Sequence, residues 1–530
     1  MTVAERNAEP TTVIVPPLAG EAASPPSAAQ WRFLLTAMAI FAGTSAWMAV
    51  ASKGFLEADG ITHYLARRFA LSQPMHIIGV WSRPLCVLLY AVPAYLGGLL
   101  GTRLTSLVLA LLAALLTVDV ARRLRLRTPE VAGVLLLTQP LLFAHSFSEL
   151  TEIPFALLLL AMFAAYQRRW FFALAVLAAV SPAARPEGFG LLGVAAVALL
   201  AHRRFAWLPL LPLGMIVWCY AGWRLYGSPA LYPWWKWLYW NWPYSPQSVY
   251  GHGKPHYFLA ILPAVIGPIT FPFMFAGVWQ FLRTRPIAGD APLWQRMLLP
   301  LFRDHELRCR VLAAAVPLGV LVGHSTLWTL GRMASNGEPR YMLIVAPFWA
   351  LLAAAGWEAL RGRVPWITAG RLAIAAALAP VIANLCYPSF PLVAQIDDRL
   401  AARFVVATQS PGQAIWPHDR FPRIAAALPH LFLQLDIDRL DVRRAADSSR
   451  TIAAAPPRGV VLVWDDIYST HNSNEEYCID ERTLLDHGWV PVWSTTEEGR
   501  RLVVFHSPLD IDGRPTAASL VPSPATAGEG

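Results

Sequence analysis

Long apolar stretches with at most one charged residue each constrain this chain more than anything else in it. Phe33–Ala51 is the first, and ten more follow: Leu104–Ala121, Val131–Ser148, Ile153–Tyr166, Trp170–Ala184, Gly188–Ala201, Phe205–Gly222, Tyr257–Leu282, Val311–Leu330, Tyr341–Trp357 and Pro365–Tyr387. About 20 such residues cross a bilayer core of about 30 Å as a helix, which satisfies its own backbone where no water can. Eleven runs in one chain imply an α-helical polytopic membrane protein with about 11 transmembrane helices. Charged residues are 15% of the 530, against about 25% in an average soluble domain. That excludes a cytosolic enzyme, a disordered chain and a disulfide-stapled miniprotein. The net charge of +9 is carried by arginines scattered between the apolar runs, not by one basic stripe, so no nucleic-acid partner is expected. The five cysteines are far apart and form no CxxC pair, which leaves zinc and redox motifs without support.

Arginine placement sets the expected topology. The clusters Arg122/Arg123/Arg125/Arg127, Arg168/Arg169, Arg203/Arg204, Arg283–Arg310 and Arg361/Arg363 fall on one side if eleven runs cross, and the positive-inside rule makes that side cytoplasmic. A twelfth apolar stretch, Leu85–Leu100, would break the pattern by crossing. Pro93 and the Gly97–Gly98 pair interrupt it, so it is expected to lie in or dip into the outer interface. Residues 170–201 are expected to form a hairpin with Arg185-Pro186-Glu187-Gly188 at its outer tip. The N-terminus is then inside and the C-terminus outside, in a multi-pass protein of a bacterial inner membrane.

Four regions follow. Residues 1–30, rich in Pro, Ala, Glu and Thr, read as a disordered tail, and 31–387 as the membrane domain. Residues 388–511 alternate short β-rich runs (Gly459–Trp464, Leu502–His506) with helix-like segments (Asp398–Ala407, Arg423–Leu428). They imply a small C-terminal α/β extracytoplasmic domain, followed by a polar tail at 512–530. Val460–Trp464 reads as a buried parallel strand ending in Asp465 and Asp466.

The first outer loop carries the clearest chemistry. Glu57 and Asp59 follow the first span, and carboxylates two apart can share a divalent cation such as Mg or Mn, or act as a base with its helper. A solvated acidic turn explains the spacing equally simply. Glu149 and Glu152 are three apart, as on one face of a helical turn at the outer mouth. The aromatic loop Trp223–His256 fits an interfacial belt or a stacking surface for sugar rings, and His252 and His256 flank Lys254 without a third metal ligand. Gln139 and His145 fit interhelical hydrogen bonding.

These motifs, taken in order, resemble the GT-C glycosyltransferases, polytopic enzymes that take a sugar from a polyprenyl-phosphate carrier and include the protein O-mannosyltransferases and lipid A aminoarabinose transferases. The resemblance rests on Glu57-Ala58-Asp59, Thr62–Arg67, Trp81-Ser82-Arg83-Pro84, Ser148–Pro154, Arg185–Gly188 and Glu338-Pro339-Arg340-Tyr341. It implies that Asp59 is the catalytic base or acceptor-orienting acid and that Glu57 assists it or reaches a metal. Glu-Ala-Asp stands where many relatives have Asp-x-Asp or Asp-Glu, which leaves a divalent cation open. It further implies a polyprenyl-phosphate-linked sugar donor, a lipid, glycan or protein acceptor, and surrounding membrane lipids. A phosphate leaving group gains charge in the transition state, so outer cations would stabilise it. Arg340, Arg83, Arg185, Lys236 and Lys254 are the candidates, with Arg340 foremost, and His63, Glu149, Glu152 and Glu338 are further substrate-binding candidates. Arg67, Arg68 and Arg103 fit snorkelling anchors. The competing classes are a secondary transporter or flippase, which would place ionisable residues at the midplane, and a non-catalytic scaffold or sensor. No Gly-rich phosphate loop supports a nucleotide-sugar enzyme.

Overall fold

The computed structural model describes residues 26–52, 58–227, 232–248, 250–268, 270–282, 304–333, 336–361, 394–409, 415–470 and 475–516, with single positions between 368 and 378. The first part is helical: α1 (Ala28–Ala51), α2 (Ala58–Phe69), α3 (Met75–Ile78), α4 (Pro84–Arg123), α5 (Pro129–Leu137), α6 (Pro140–His145), α7 (Glu152–Gln167), α8 (Phe171–Val180), α9 (Gly188–Ala201), α10 (Leu213–Leu225), α11 (Trp237–Trp240), α12 (Tyr257–Ile266), α13 (Thr270–Leu282), α14 (His305–Thr329) and α15 (Ala346–Leu360). α1 opens on a capping box in which Ser27 and Gln30 satisfy each other's backbone N–H groups. One face of α1 (Leu34, Ala37, Phe41, Ser45, Met48) is buried, while Leu35, Trp47 and Val50 are exposed. Apolar side chains outside as well as inside are what a lipid-facing helix shows.

Among the described residues, five helices are long and apolar enough to cross a membrane: Ala28–Ala51, Pro84–Arg123, Phe205–Leu225, His305–Thr329 and Pro339–Leu360. The bent pair α12–α13 makes a sixth if counted as one span. Glu152–Gln167, Phe171–Ala183 and Gly188–Ala201 are apolar but shorter. The fold is polytopic, but its helices are more broken than eleven uniform spans. Val131–Ser148 is cut at Thr138–Gln139, just before Pro140, which cannot continue a helix. The eleventh run, Pro365–Tyr387, lies almost entirely outside the described residues.

α4 turns back on itself. Gly98 has φ 57° and ψ −140°, and Tyr90 Oη lies 3.0 Å from Ser106 Oγ. Sixteen residues along a straight helix would separate that pair by about 24 Å. Residues 84–97 therefore fold against the long arm of α4 and pack on α2 through Val87 and Ala91, with Leu88, Leu89, Val92 and Leu96 exposed. Residues 171–201 form the expected hairpin, closed by Ser181 Oγ donating to the Gly188 carbonyl at 3.0 Å.

The two ends of the bundle differ in charge. At one, Asp119 accepts from Arg122 and Arg123 at 3.1 and 3.3 Å and from Arg168, while Glu306 pairs with Arg125 at 2.9 Å and Arg310 at 2.7 Å. The opposite ends of α4, α7 and α9 carry the residues of the candidate site.

The C-terminal domain contains α16 (Ile396–Gln409), β1 (Arg423–Ala426), α17 (Pro429–Leu435), α18 (Arg450–Ala454), β2 (Val460–Asp465), α19 (Glu481–Asp486), β3 (Val490–Glu497) and β4 (Arg500–His506). The sheet order is β1-β2-β4-β3, with β1 parallel to β2 and the other pairs antiparallel. Residues 423–426 were expected to be helical and are a strand. Ile424, Ala425 and Ala426 are buried beside β2, and the sheet pairing overrides an Ala-rich propensity. Pro429 does not end a helix but opens α17, where its missing N–H is no loss.

The domain sits on α2. Ile61, Tyr64 and Leu65 enter the core formed by Phe404, Leu431 and Phe432. Arg68 reaches Asp436 at 3.6 Å, and His76 reaches Asp438 at 2.6 Å.

Candidate active site

α2 builds the site because its two faces have different partners. Asp59, His63 and Arg67 recur every four residues and so form one row, while Ile61, Tyr64 and Leu65 belong to the domain core. Asp59 occupies the first turn, where the helix dipole favours a carboxylate.

Arg340, in the 3₁₀ turn Pro339–Val345, donates from Nη2 to Asp59 Oδ2 at 2.6 Å across 281 residues of chain, and its Nε lies 3.8 Å from Glu152 Oε1. Arg185, at the tip of the α8–α9 hairpin, donates from Nη1 to the same Glu152 oxygen at 2.6 Å and to Thr151 Oγ1 at 2.9 Å. Its Nη2 donates to Glu187 Oε1 at 2.9 Å, and His324 of α14 stands 3.9 Å from that oxygen. The result is an alternating row: Asp59, Arg340, Glu152, Arg185, Glu187, His324. Side-chain exposure is 37% at Asp59, 11% at Arg340 and 2% at Glu152, so Asp59 is the accessible end. Burial works against the Glu187 carboxylate, but Arg185 outweighs it and holds the group down at about 2. Burial raises the Glu338 carboxyl against the pull of Arg340, and Asn336 donates to its Oε1 at 3.3 Å.

Arg83 caps α4 with φ 60°, a left-handed conformation uncommon outside glycine and costing about 1–3 kcal/mol. Its guanidinium donates to Tyr244 Oη and to the Val80 carbonyl at 3.1 Å, and lies 5.6 Å from the Trp81 ring. Trp81 stacks on His63 at 6.4 Å and lies 5.7 Å from Tyr244, which continues to Trp242 at 5.3 Å. Burial, then the guanidiniums of Arg67, Arg83, Arg340 and Arg185, hold the His63 imidazole well below its ordinary value, and therefore neutral. The aromatic loop is thus divided. Trp237 is buried against α10, Tyr244 belongs to the site, and Trp235, Tyr239 and Trp240 are exposed.

An apolar cavity of about 640 Å³ opens beside this row. Arg185, Glu187, Tyr244, His324 and Tyr341 line its polar end, and side chains of α7, α9 and α14 line the rest.

Three of the expected placements need correction. Arg67 and Arg103 do not snorkel. Both are buried: Arg103 Nε bonds Glu149 Oε1 at 2.6 Å, and Arg67 Nη1 bonds the Glu149 carbonyl at 2.6 Å and stacks 4.0 Å over Tyr90. Glu149 and Glu152 do not share a helical face. Glu149 precedes α7 and serves Arg103, whereas Glu152 begins α7 and serves Arg185 and Arg340. The reason is charge: two buried carboxylates are stable only when each has its own cation. Lys236 and Lys254 are exposed, and no described ion pair joins either to the site. Glu57 lies outside the described residues. Among the described residues no three of His, Cys, Asp and Glu are grouped as metal ligands. At Asp59 a metal would also face the Arg340 guanidinium, so the residues described fit a divalent cation poorly.

His324, stacked on Tyr341 at 4.6 Å with an interplanar angle of 9°, was not singled out from the sequence. A histidine inside the apolar run Val311–Leu330 was the available signal.

No family model and no curated protein sequence matches the chain. Its structure is similar to the crystal structure of ArnT from Cupriavidus metallidurans bound to undecaprenyl phosphate. The identity is 14% and the TM-score 0.55, over 90% of this chain and 98% of that one. The likeness shows that the chain shares the fold of that structure.

Proposed function

We propose that the protein is a membrane glycosyltransferase that moves a sugar from a polyprenyl-phosphate carrier to a hydroxyl acceptor at the outer face of the membrane. The observation that carries this reading is the charged row that starts at accessible Asp59 and opens on an apolar cavity at its Arg185–Glu187 end. A prenyl chain suits the cavity and a phosphate suits its arginine end. The structural neighbour was crystallised with undecaprenyl phosphate, which supports a donor of that chemistry. The basic collar at the far end of the bundle supports an extracytoplasmic site through the positive-inside rule.

The proposed reaction is one inverting displacement. The acceptor oxygen attacks the anomeric carbon, the bond from that carbon to the phosphate oxygen breaks, and its electron pair leaves with the phosphate. The acceptor proton passes to Asp59. Arg340 holds Asp59 in the resting state by donating to its carboxylate at 2.6 Å. An arriving donor phosphate competes for Arg340 and frees Asp59 beside the acceptor, so base and leaving-group cation are set together. Arg185 and Arg83 answer the charge that grows on the phosphate.

Asp59→Asn keeps shape but removes the base. It is expected to lower turnover about 10²–10⁴-fold without altering membrane insertion or thermal stability. Near wild-type turnover in that variant would remove Asp59 from the mechanism.

A further inference from the structure

The cavity at the charged row continues into a second space of about 810 Å³, and the two share Leu159, Gly190, Leu191, Val194, Leu312 and Val316. They form one groove along α7, α9 and α14. The 14 residues of α9 rise about 21 Å, so the groove follows most of a bilayer core. Its far end is polar again, lined by Tyr166, His202 and Arg308. There Tyr166, His202 and His305 form a ring triangle with centroid separations of 5.6, 5.2 and 5.8 Å, and His202 Nε2 lies 3.3 Å from Tyr166 Oη.

Arginines outnumber acids at this end, where Asp304 acts on His305. The positive fields of Arg308, Arg169 and Arg204 all act on His202. Nearby, Arg122, Arg123 and Arg168 share Asp119, and Arg125 and Arg310 share Glu306. No described carboxylate is ion-paired with Arg169 or Arg204. A prenyl tail entering from the Arg185 end would bring only hydrocarbon to this cationic rim. An apolar slot under a cationic rim fits an amphiphile whose anionic head enters from this side.

We propose that the groove end at Arg308 and His202 binds an anionic phospholipid of the leaflet opposite the candidate active site. Its phosphodiester meets the Arg308, Arg169 and Arg204 rim, and one acyl chain lies between α7, α9 and α14. Guanidinium forks suit phosphate oxygens, and burial of the chain supplies the remaining affinity. Gly193, which lines only this half, keeps the slot open, since nothing lies within 4 Å of where its Cβ would be.

The test is independent of which donor the enzyme uses. The full-length protein in detergent is given phosphatidylglycerol or phosphatidylcholine of identical chains, and lipid retention is followed by native mass spectrometry. Wild type is expected to retain one phosphatidylglycerol at least about tenfold more strongly than phosphatidylcholine. Arg308→Ala removes that preference, and Gly193→Leu, which fills the slot at a helical position, removes retention. Arg122→Ala, in the acid-paired collar, changes neither. Equal retention of the two lipids, or equal loss in Arg122→Ala, would reduce the site to a diffuse field and overturn the proposal. One-for-one displacement of phosphatidylglycerol by undecaprenyl phosphate would assign the slot to a prenyl tail and overturn it too.

Discussion

Arg340→Ala tests the coupling between acid and leaving group that the proposed mechanism depends on. The guanidinium is 11% exposed, bonds Asp59 at 2.6 Å and stands 3.8 Å from Glu152. Truncating one member of a buried hydrogen-bonded charge pair costs about 2–5 kcal/mol. Asp59 is the exposed partner and recovers water, and Glu152 keeps Arg185 at 2.6 Å, so folding should lose little of this. The larger part falls on the transition state, where the phosphate loses its cation. A loss of about 2–4 kcal/mol corresponds to about 30- to 1,000-fold in turnover. The control is Arg68→Ala on the same helix as Asp59. Its pair with exposed Asp436 at 3.6 Å is worth about 0–1 kcal/mol. Both variants would be assayed for sugar transfer from a polyprenyl-phosphate sugar over a range of donor concentrations, with thermal unfolding measured alongside. Arg340→Ala should fall mainly in kcat/KM for the donor and unfold within a few degrees of wild type. Equal losses in the two variants would show that Arg340 is only an anchor and refute the coupling.

Three other outcomes follow from the same geometry. Arg103→Ala strands the buried Glu149 carboxylate and should destabilise the membrane domain by about 3–5 kcal/mol, whereas a snorkelling arginine would lose almost nothing; thermal unfolding separates the two. The Glu187 carboxyl, held at about 2 in the fold against 4.5 unperturbed, contributes stability above about pH 4.5 that is lost as pH falls through about 2. Glu187→Gln should therefore flatten the acid limb of stability against pH, and an unchanged limb would contradict the assignment. A chelator should leave sugar transfer intact, since Arg340 occupies Asp59; loss of activity restored by Mg or Mn would instead place a cation at Glu57 and Asp59.

Apolar runs between arginine clusters were enough to read the membrane class and the position of the hairpin tip at Arg185–Gly188. Periodicity and charge placement act locally, and these features are local. The break at Gly98 was visible as a Gly pair after Pro93, but the doubling-back that joins Tyr90 to Ser106 depends on tertiary packing. The Asp59–Arg340 pair joins two motifs legible separately, while their approach across 281 residues was not legible. Arg67 and Arg103 were misread because a charge near a span end looks alike whether it turns to water or to a buried acid. Glu149 decides between these, and its distance from Arg103 follows from the fold. Residues 423–426 became a strand because β2 lies beside them, a neighbour no local propensity describes.

The central claim is that the sugar arrives on a polyprenyl phosphate and leaves that carrier behind at the charged row of Asp59, Arg340 and Arg185, whose Arg185 end opens on the groove. The direct measurement supplies the purified full-length protein with a radiolabelled polyprenyl-phosphate sugar and a membrane extract containing acceptors, then quantifies free polyprenyl phosphate and transferred sugar together. The account predicts that the two appear in equal amounts with the wild-type protein and that both fall together in Asp59→Asn. Sugar transfer from a nucleotide sugar without release of polyprenyl phosphate, or movement of the intact carrier across the bilayer with its glycosyl bond unbroken, would contradict it.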